Sequence, residues 1–286
     1  MNLAYVLYRL VLKSETSLPP DVRRALAKAK KTEKNPLARA QLGLILKNVS
    51  LAEGKKIPVC QDTGLPTFYV TLGGKNYSAK KIEDAIRESV RLATKRIPLR
   101  PNVVNPFDRK NTGDNTGIRV PVVYYEFEPK ARDDFLEVVF VPKGGGCENA
   151  SALAMLNPFD GIRGIEKFVL EHVVKIGGKP CPPYVLGIGV GGSADLAVQL
   201  AKKASLRNIE ERNGDARVAR IERALLRKIN SLGIGTMGLG GSTTCLAVNI
   251  EYADTHTASL PVALSLMCWA SRRAGVRIIG NKVIWA

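Results

Sequence analysis

The sequence predicts a compact α/β fold (mixed α+β) in which mixed sheets pack with helices, in one lobe or two. Helical and strand-like segments succeed each other along the chain without a repeat or a clear linker, so residues 1–286 are expected to form a single domain. An apolar share of 45% with 24% charged residues over 286 positions excludes the disordered and fibrous classes and suffices for one large core or two modest ones. No apolar run approaches the roughly 20 residues of a membrane span, and the best, Leu260 to Ala270, contains Pro261. No membrane partner is expected.

At the N-terminus Leu3, Val6, Leu7, Leu10 and Val11 recur at helical spacing, while Arg9 and Lys13 interrupt any signal-peptide block, which predicts a docking helix. Helices follow at Val22–Lys31, after the Pro19-Pro20 start signal, and at Pro36–Leu51. An irregular segment, Ile57–Gly64, leads to a strand, Thr67–Leu72, ended by Gly73-Gly74. Ser78 then caps a helix with Ile82, Ala85, Ile86 and Val90 inward. Residues 96–116 are rich in proline and asparagine and lack apolar periodicity, the mark of a long loop retained for function. Two runs, Ile118–Phe127 and Phe135–Val141, joined by the charged turn Glu128–Asp134, read as an antiparallel pair. Lys143-Gly144-Gly145-Gly146 precedes a helical stretch, Asn149–Leu156. Farther on come a strand, Tyr184–Val190, a helix, Ala194–Ser205, a basic helix, Ala216–Ser231, and a glycine-dense segment, Gly233–Gly241. A strand, Thr244–Tyr252, an apolar helix containing Cys268 and a last strand, Val276–Ile284, complete the pattern.

The 43 basic against 26 acidic residues give a net charge of +17. Such a surface attracts nucleic acid, an acidic small molecule or an acidic partner subunit, or is a solvated lysine-rich face. A nucleic-acid partner is not expected, because the basic residues of 28–34 and 207–227 alternate with apolar ones on helices and no aromatics interleave with them. Five cysteines, an odd number without a CxxC pair or a secretory segment, point to a reducing, cytoplasmic compartment.

Gly187, Gly189 and Gly192 spell G-x-G-x-x-G between a strand and a helix, the setting of a dinucleotide fingerprint. The segment about 20 residues on, where the ribose-binding acid belongs, is polar Asn208–Asn213 rather than a strand end, so close strand–helix packing is the stronger reading. Gly144 to Gly146, flanked by Lys143, gather backbone N–H groups suited to an anion or form a plain turn. Cys60 and Cys181 lie in segments that regular structure cannot easily use, Cys245 reads as core, and Cys147 and Cys268 are ambiguous. With only His172 and His256, a zinc site built on several histidines is not expected. His172 reads as structural. His256, in the polar loop Asp254–Ser259, has either a catalytic or binding role or a loop role.

Several blocks in order carry a more specific signal: Val59-Cys60-Gln61-Asp62-Thr63-Gly64, Asn111-Thr112-Gly113 with Asn115, Lys143 to Gly146, Cys181-Pro182-Pro183-Tyr184 with Gly191-Gly192, and His256 to Val262 leading to Cys268-Trp269-Ala270. With them the chain resembles the α subunit of two-subunit class I fumarases and of L(+)-tartrate dehydratase, iron–sulfur hydro-lyases. The resemblance implies a single class I fumarase-type catalytic α-subunit domain over 1–286. It implies a [4Fe–4S] cluster on Cys60, Cys181 and Cys268, with one iron lacking a protein ligand and with Cys147 and Cys245 as bystanders. It places Gln61, Asp62, Arg100, Lys143, Gly146 and His256 around the substrate, Asp62 and His256 with catalytic roles. The implied substrate is a small dicarboxylate, fumarate hydrated reversibly to L-malate ahead of L-tartrate dehydrated to oxaloacetate. In that family the proton-abstracting threonine lies in a C-terminal domain, so a separate β subunit and an α2β2 assembly are expected.

Overall fold

The computed structural model describes residues 2–74, 78–131 and 133–286. Its helices are α1 (Leu3–Thr16), α2 (Pro20–Thr32), α3 (Pro36–Lys55), α4 (Ala79–Arg96), α5 (Gly145–Asn149), α6 (Gly161–Ile176), α7 (Ala194–Ala204) and α8 (Ala216–Ser231). Its strands are β1 (Leu65–Gly73), β2 (Val122–Glu128), β3 (Phe135–Lys143), β4 (Ala152–Leu156), β5 (Tyr184–Val190), β6 (Cys245–Tyr252), β7 (Leu260–Met267), β8 (Ala274–Ile279) and β9 (Lys282–Trp285). The mixed α/β class is as the sequence predicts. Two units divide the chain. The first takes residues 1–19, 48–145 and 272–286, and the second residues 20–47 and 146–271.

The first unit is built on a five-stranded sheet, β2-β1-β3-β8-β9. Helix α1 opens with the Asn2 side chain accepting the Tyr5 N–H at 3.1 Å, and α4 with the Ser78 hydroxyl accepting the Lys81 N–H at 3.4 Å. Their inner faces bury Leu7, Leu10, Ile86 and Val90 with Phe68, Val70, Val138, Phe140 and Val276 of the sheet. Burying each such side chain stabilises the fold by about 1.5–3 kcal/mol.

The antiparallel pair expected from Ile118–Phe127 and Phe135–Val141 does not form. β1 lies between β2 and β3, parallel to the one and antiparallel to the other. Phe68 and Val70 make β1 the more buried strand, which belongs at the centre, whereas β2 is half-exposed and suits an edge. The charged turn expected at 128–134 includes Arg132, which lies outside the described residues; at the end of β1 the Gly74 N–H donates to the Glu128 carbonyl at 3.4 Å. Glycines make room there, since a Cβ on Gly73 would sit 2.1 Å from the Phe135 ring and one on Gly74, at φ +84°, 1.8 Å from the Asp134 carboxylate. The expected last strand, Val276–Ile284, is instead the hairpin β8–β9, turned at Gly280-Asn281 with Gly280 at φ +56°.

The second unit carries a four-stranded sheet, β4-β7-β5-β6. Its core joins Val169 and Val173 of α6, Leu225 and Ile229 of α8, and the buried faces of β5, β6 and β7. Two expectations fail here. Residues 152–156 form an edge strand rather than a helix, their side chains alternating half-buried and exposed, with the short helix α5 lying upstream. The apolar run expected as a helix with Cys268 is β7, a central strand hydrogen-bonded on both sides, after which Cys268 stands in irregular backbone. In both segments leucine, alanine and methionine favour a helix locally, and sheet pairing overrides the preference.

Candidate active site

In the first unit the residues around Cys60 have no ladder of their own. Residues 57–64 are irregular and depend on tethers from elsewhere. The Val59 N–H donates to the Glu15 carbonyl at 2.9 Å, and its carbonyl accepts from the Asn48 side chain at 2.8 Å. Asp62 accepts three bonds: its two carboxylate oxygens from the N–H groups of Gly64 (2.9 Å) and Gly145 (2.8 Å), its carbonyl from Arg272 (2.7 Å). The Gly145 N–H, one of the anion-binding groups read from the triple glycine, is thus taken by the chain's own carboxylate. Thr63 is buried and donates to the Arg100 carbonyl at 3.1 Å, which also accepts from Asn115 at 3.0 Å. Asn115 in turn accepts the Asn102 N–H at 2.7 Å, so the asparagine-rich loop fixes the backbone beneath Arg100 while leaving its side chain exposed. Cys60 is half-buried, Gln61 exposed and Lys143 buried.

In the second unit Cys181 adopts φ +53°, a left-handed conformation that costs a non-glycine residue about 1–2 kcal/mol. Flanking hydrogen bonds hold it. Its N–H donates to the Gly178 carbonyl at 3.1 Å, and the next carbonyl, of Pro182, accepts the Met237 N–H at 2.8 Å. Gly178 and Gly238 make this approach possible, since a Cβ on either would stand 3.0–3.1 Å from the other's Cα. The Cys181 carbonyl accepts the Trp269 N–H at 3.2 Å, which brings the backbones at Cys181 and Cys268 together. Both thiols are half-buried. Cys147 is buried beside them, its sulfur accepting the Cys268 N–H at 3.1 Å, a neighbour relation that the sequence left unread.

His256 is exposed on the loop between β6 and β7. Its Nδ1 accepts the Ala258 N–H at 3.1 Å, so the neutral ring carries its proton on Nε2. Thr255 donates to the Gly192 carbonyl at 3.0 Å, and the Gly192 N–H to the Asp254 carbonyl at 3.1 Å. The double glycine of the sequence therefore holds the histidine loop, and a Cβ on Gly191 would stand 2.0 Å from the Ala253 carbonyl. Gly146 is exposed, and His172 contacts the Ala150 carbonyl through Nε2 at 2.8 Å, as a structural histidine does. Gly187 and Gly189 admit α7 onto β5: a Cβ there would stand 2.1 Å from the Ala201 carbonyl and 1.9 Å from that of Ala197. Close packing accounts for both glycines.

Among the described residues no group of three or more His, Cys, Asp or Glu side chains is arranged to hold a metal ion. Cys60 belongs to one unit, and Cys181 and Cys268 to the other. In kind the three donors fit an iron–sulfur cluster: half-buried cysteines in irregular backbone, outside any disulfide, the backbones of two of them brought together by the Trp269 bond. Cys245 differs, fully buried with its thiol pushed up to about 12 by burial.

The residues that sequence reading missed are Glu15 and Arg272. Their side chains are 1% and 3% exposed, with Nη1 of Arg272 2.6 Å from the Glu15 carboxylate. Glu15 falls on the helical face of Leu7 and Val11, where a carboxylate needs a buried partner, and that position was the available signal.

The family model for fumarate hydratase (Fumerase) matches residues 5–277. A protein of Methanocaldococcus jannaschii provisionally named L(+)-tartrate dehydratase subunit alpha is 49% identical over 280 residues, 97% of this chain and 98% of its own length. The L(+)-tartrate dehydratase subunit alpha of Escherichia coli strain K12 is 35% identical over 258 residues, 90% of this chain and 84% of its own. A Geobacillus stearothermophilus protein provisionally named fumarate hydratase class I is 36% identical over 288 residues, covering 96% of this chain but 54% of its own. Matched along almost all of its length, the chain belongs to the fumarate hydratase (Fumerase) family, whose relatives named above are hydro-lyases.

Proposed function

We propose that this chain is the α subunit of a [4Fe–4S]-dependent hydro-lyase, a single catalytic subunit over residues 1–286, which hydrates fumarate reversibly to L-malate. The observation that carries the reading is the Trp269 N–H bond to the Cys181 carbonyl, which juxtaposes two of the three proposed ligands within one unit. Cys60 completes the set. Held by these three thiolates, a [4Fe–4S] cluster would supply Lewis-acid chemistry for the substrate hydroxyl and carboxylate. The exposed Arg100 guanidinium grips a carboxylate in bidentate fashion, with Gln61, Lys143 and the Gly146 N–H as further donors. Asp62, held by two backbone N–H groups, keeps a fixed acceptor toward the substrate. His256 presents its Nε2–H to orient the diacid or to relay a proton. A separately encoded β subunit supplies the base that takes the proton from carbon, in an α2β2 assembly. This partner matches the α-subunit names of two relatives. The reducing cytoplasm is the proposed compartment. No described helix is long and apolar enough to cross a membrane.

L(+)-tartrate dehydration is the second reading, favoured by the name of the relative that this chain covers almost end to end. The test is an assay of the chain with and without its co-expressed β subunit, following fumarate and L-tartrate in parallel on anaerobically purified protein. We expect brown protein, about four irons per chain as the cluster type requires, and activity only with the partner. Serine at Cys60, Cys181 or Cys268 should abolish cluster retention. Serine at Cys245 should not, nor at Cys147, where a hydroxyl can still accept the Cys268 N–H. Colourless protein after reconstitution, or equal sensitivity of all five cysteines, would overturn the assignment.

A further inference from the structure

We infer that the buried Glu15–Arg272 pair is a positioning device for the segment that carries Cys60, Gln61 and Asp62. The inference rests on the reading of that segment as part of the active site. Arg272 places one terminal nitrogen 2.6 Å from the Glu15 carboxylate and the other 2.7 Å from the Asp62 carbonyl. Glu15 reaches the same segment by a second route, its own carbonyl accepting the Val59 N–H at 2.9 Å. The two tethers straddle Cys60, one residue before it and two after.

A buried ion pair is a poor device for stability alone, because desolvation of both charges consumes most of their attraction and apolar residues of similar volume often serve as well. What an apolar pair cannot supply is a rigid fork donating to a carboxylate and to a backbone carbonyl at once. Residues 57–64 have no strand or helix to hold their backbone, so these donors fix where the Cys60 sulfur and the Asp62 carboxylate stand. Arg272 is thus a positioning residue and Glu15 its anchor. Neither is assigned contact with substrate.

The test compares the full chain with Arg272→Lys, which keeps a cation beside Glu15 but loses the second arm, and with the double variant Glu15→Leu/Arg272→Met, which fills the volume with apolar atoms. Iodoacetamide labelling of the metal-free protein, read thiol by thiol by peptide mass spectrometry, reports the segment directly. Loss of a charge-assisted bond to the Asp62 carbonyl should raise Cys60 labelling about tenfold, with Cys181 and Cys268 unchanged and the melting temperature near that of the parent. On reconstituted protein with its partner subunit, the same variants should lose iron faster and show a raised KM. Cys60 labelling at the parent rate in a folded variant would overturn the inference, as would failure of both variants to fold, which would make the pair structural. If the parent binds no cluster, the functional proposal fails, while the labelling still decides the positioning role.

Discussion

Burial pushes the Glu15 carboxyl up to about 7, with Arg272 pulling it down and Asp62 adding to the rise. Between its ordinary value of 4.5 and about 7 the folded chain holds a proton that the unfolded chain has released. This contribution to stability is complete below pH 4.5 and is lost as pH rises through 7. At about 1.4 kcal/mol for each unit, the stability advantage of the parent over Glu15→Gln should shrink by roughly 3 kcal/mol across that window. Denaturant titrations at several pH values measure it, and a flat difference would contradict the account. Thiol chemistry offers a second check. Cys245, buried and held protonated, should resist iodoacetamide at pH 8 long after half-buried Cys60, Cys181 and Cys268 have reacted. Equal labelling of Cys245 would show that its site opens. Residue setting made part of this legible in the sequence, since prolines and glycines around Cys60 and Cys181 marked them as unlike the core thiol. Glu15 on an apolar helical face signalled a buried partner, but which residue that is was not legible, because Arg272 stands 257 residues away and only the folded chain joins them.

Elements with strong local signals match their expected spans. Tyr184–Val190 and Ala216–Ser231 agree to the residue, and the Pro-led helices and the Ser78 cap fall where their start signals stand. Two of the misses share one cause. For residues 152–156 and 260–267 the composition suits a helix, and partner strands far along the chain decide otherwise. The same dependence on partners sets the order β2-β1-β3, which no turn signal encodes. Where α7 meets β5, the fit is close enough to measure. Gly189→Ala would drive a methyl to 1.9 Å from the Ala197 backbone carbonyl, which cannot rotate away. Thermal or denaturant unfolding should show a loss of about 3 kcal/mol or more, the upper range for overpacking. A loss below about 1 kcal/mol would mean that the helix slides without cost.

For the molecule as a whole, the +17 charge sets a field as well as a surface. A dianionic substrate would be drawn in by it, and screening shortens the reach of that field from about 10 Å at 0.1 M salt to about 3 Å at 1 M. With the proposed partner subunit present, KM should therefore rise several-fold across that range while kcat changes little. A KM indifferent to salt would leave the excess charge as a solvation feature only. The charge was plain in the sequence, whereas the places at which the chain passes from one unit to the other were not, because it crosses between them at 19/20, 47/48, 145/146 and 271/272 without a linker to mark them.

That interleaving shapes how the protein is made. Strand β3 takes β8 as its outer neighbour, and β8 begins only at Ala274. As the ribosome delivers the nascent chain at about 5–20 residues per second, the β3 edge waits on the order of ten seconds for about 130 further residues before its neighbour emerges. During that interval an open strand edge invites the wrong partner, so a trigger-factor-like holding chaperone should raise the yield of newly synthesised protein more than slower refolding of the finished chain would.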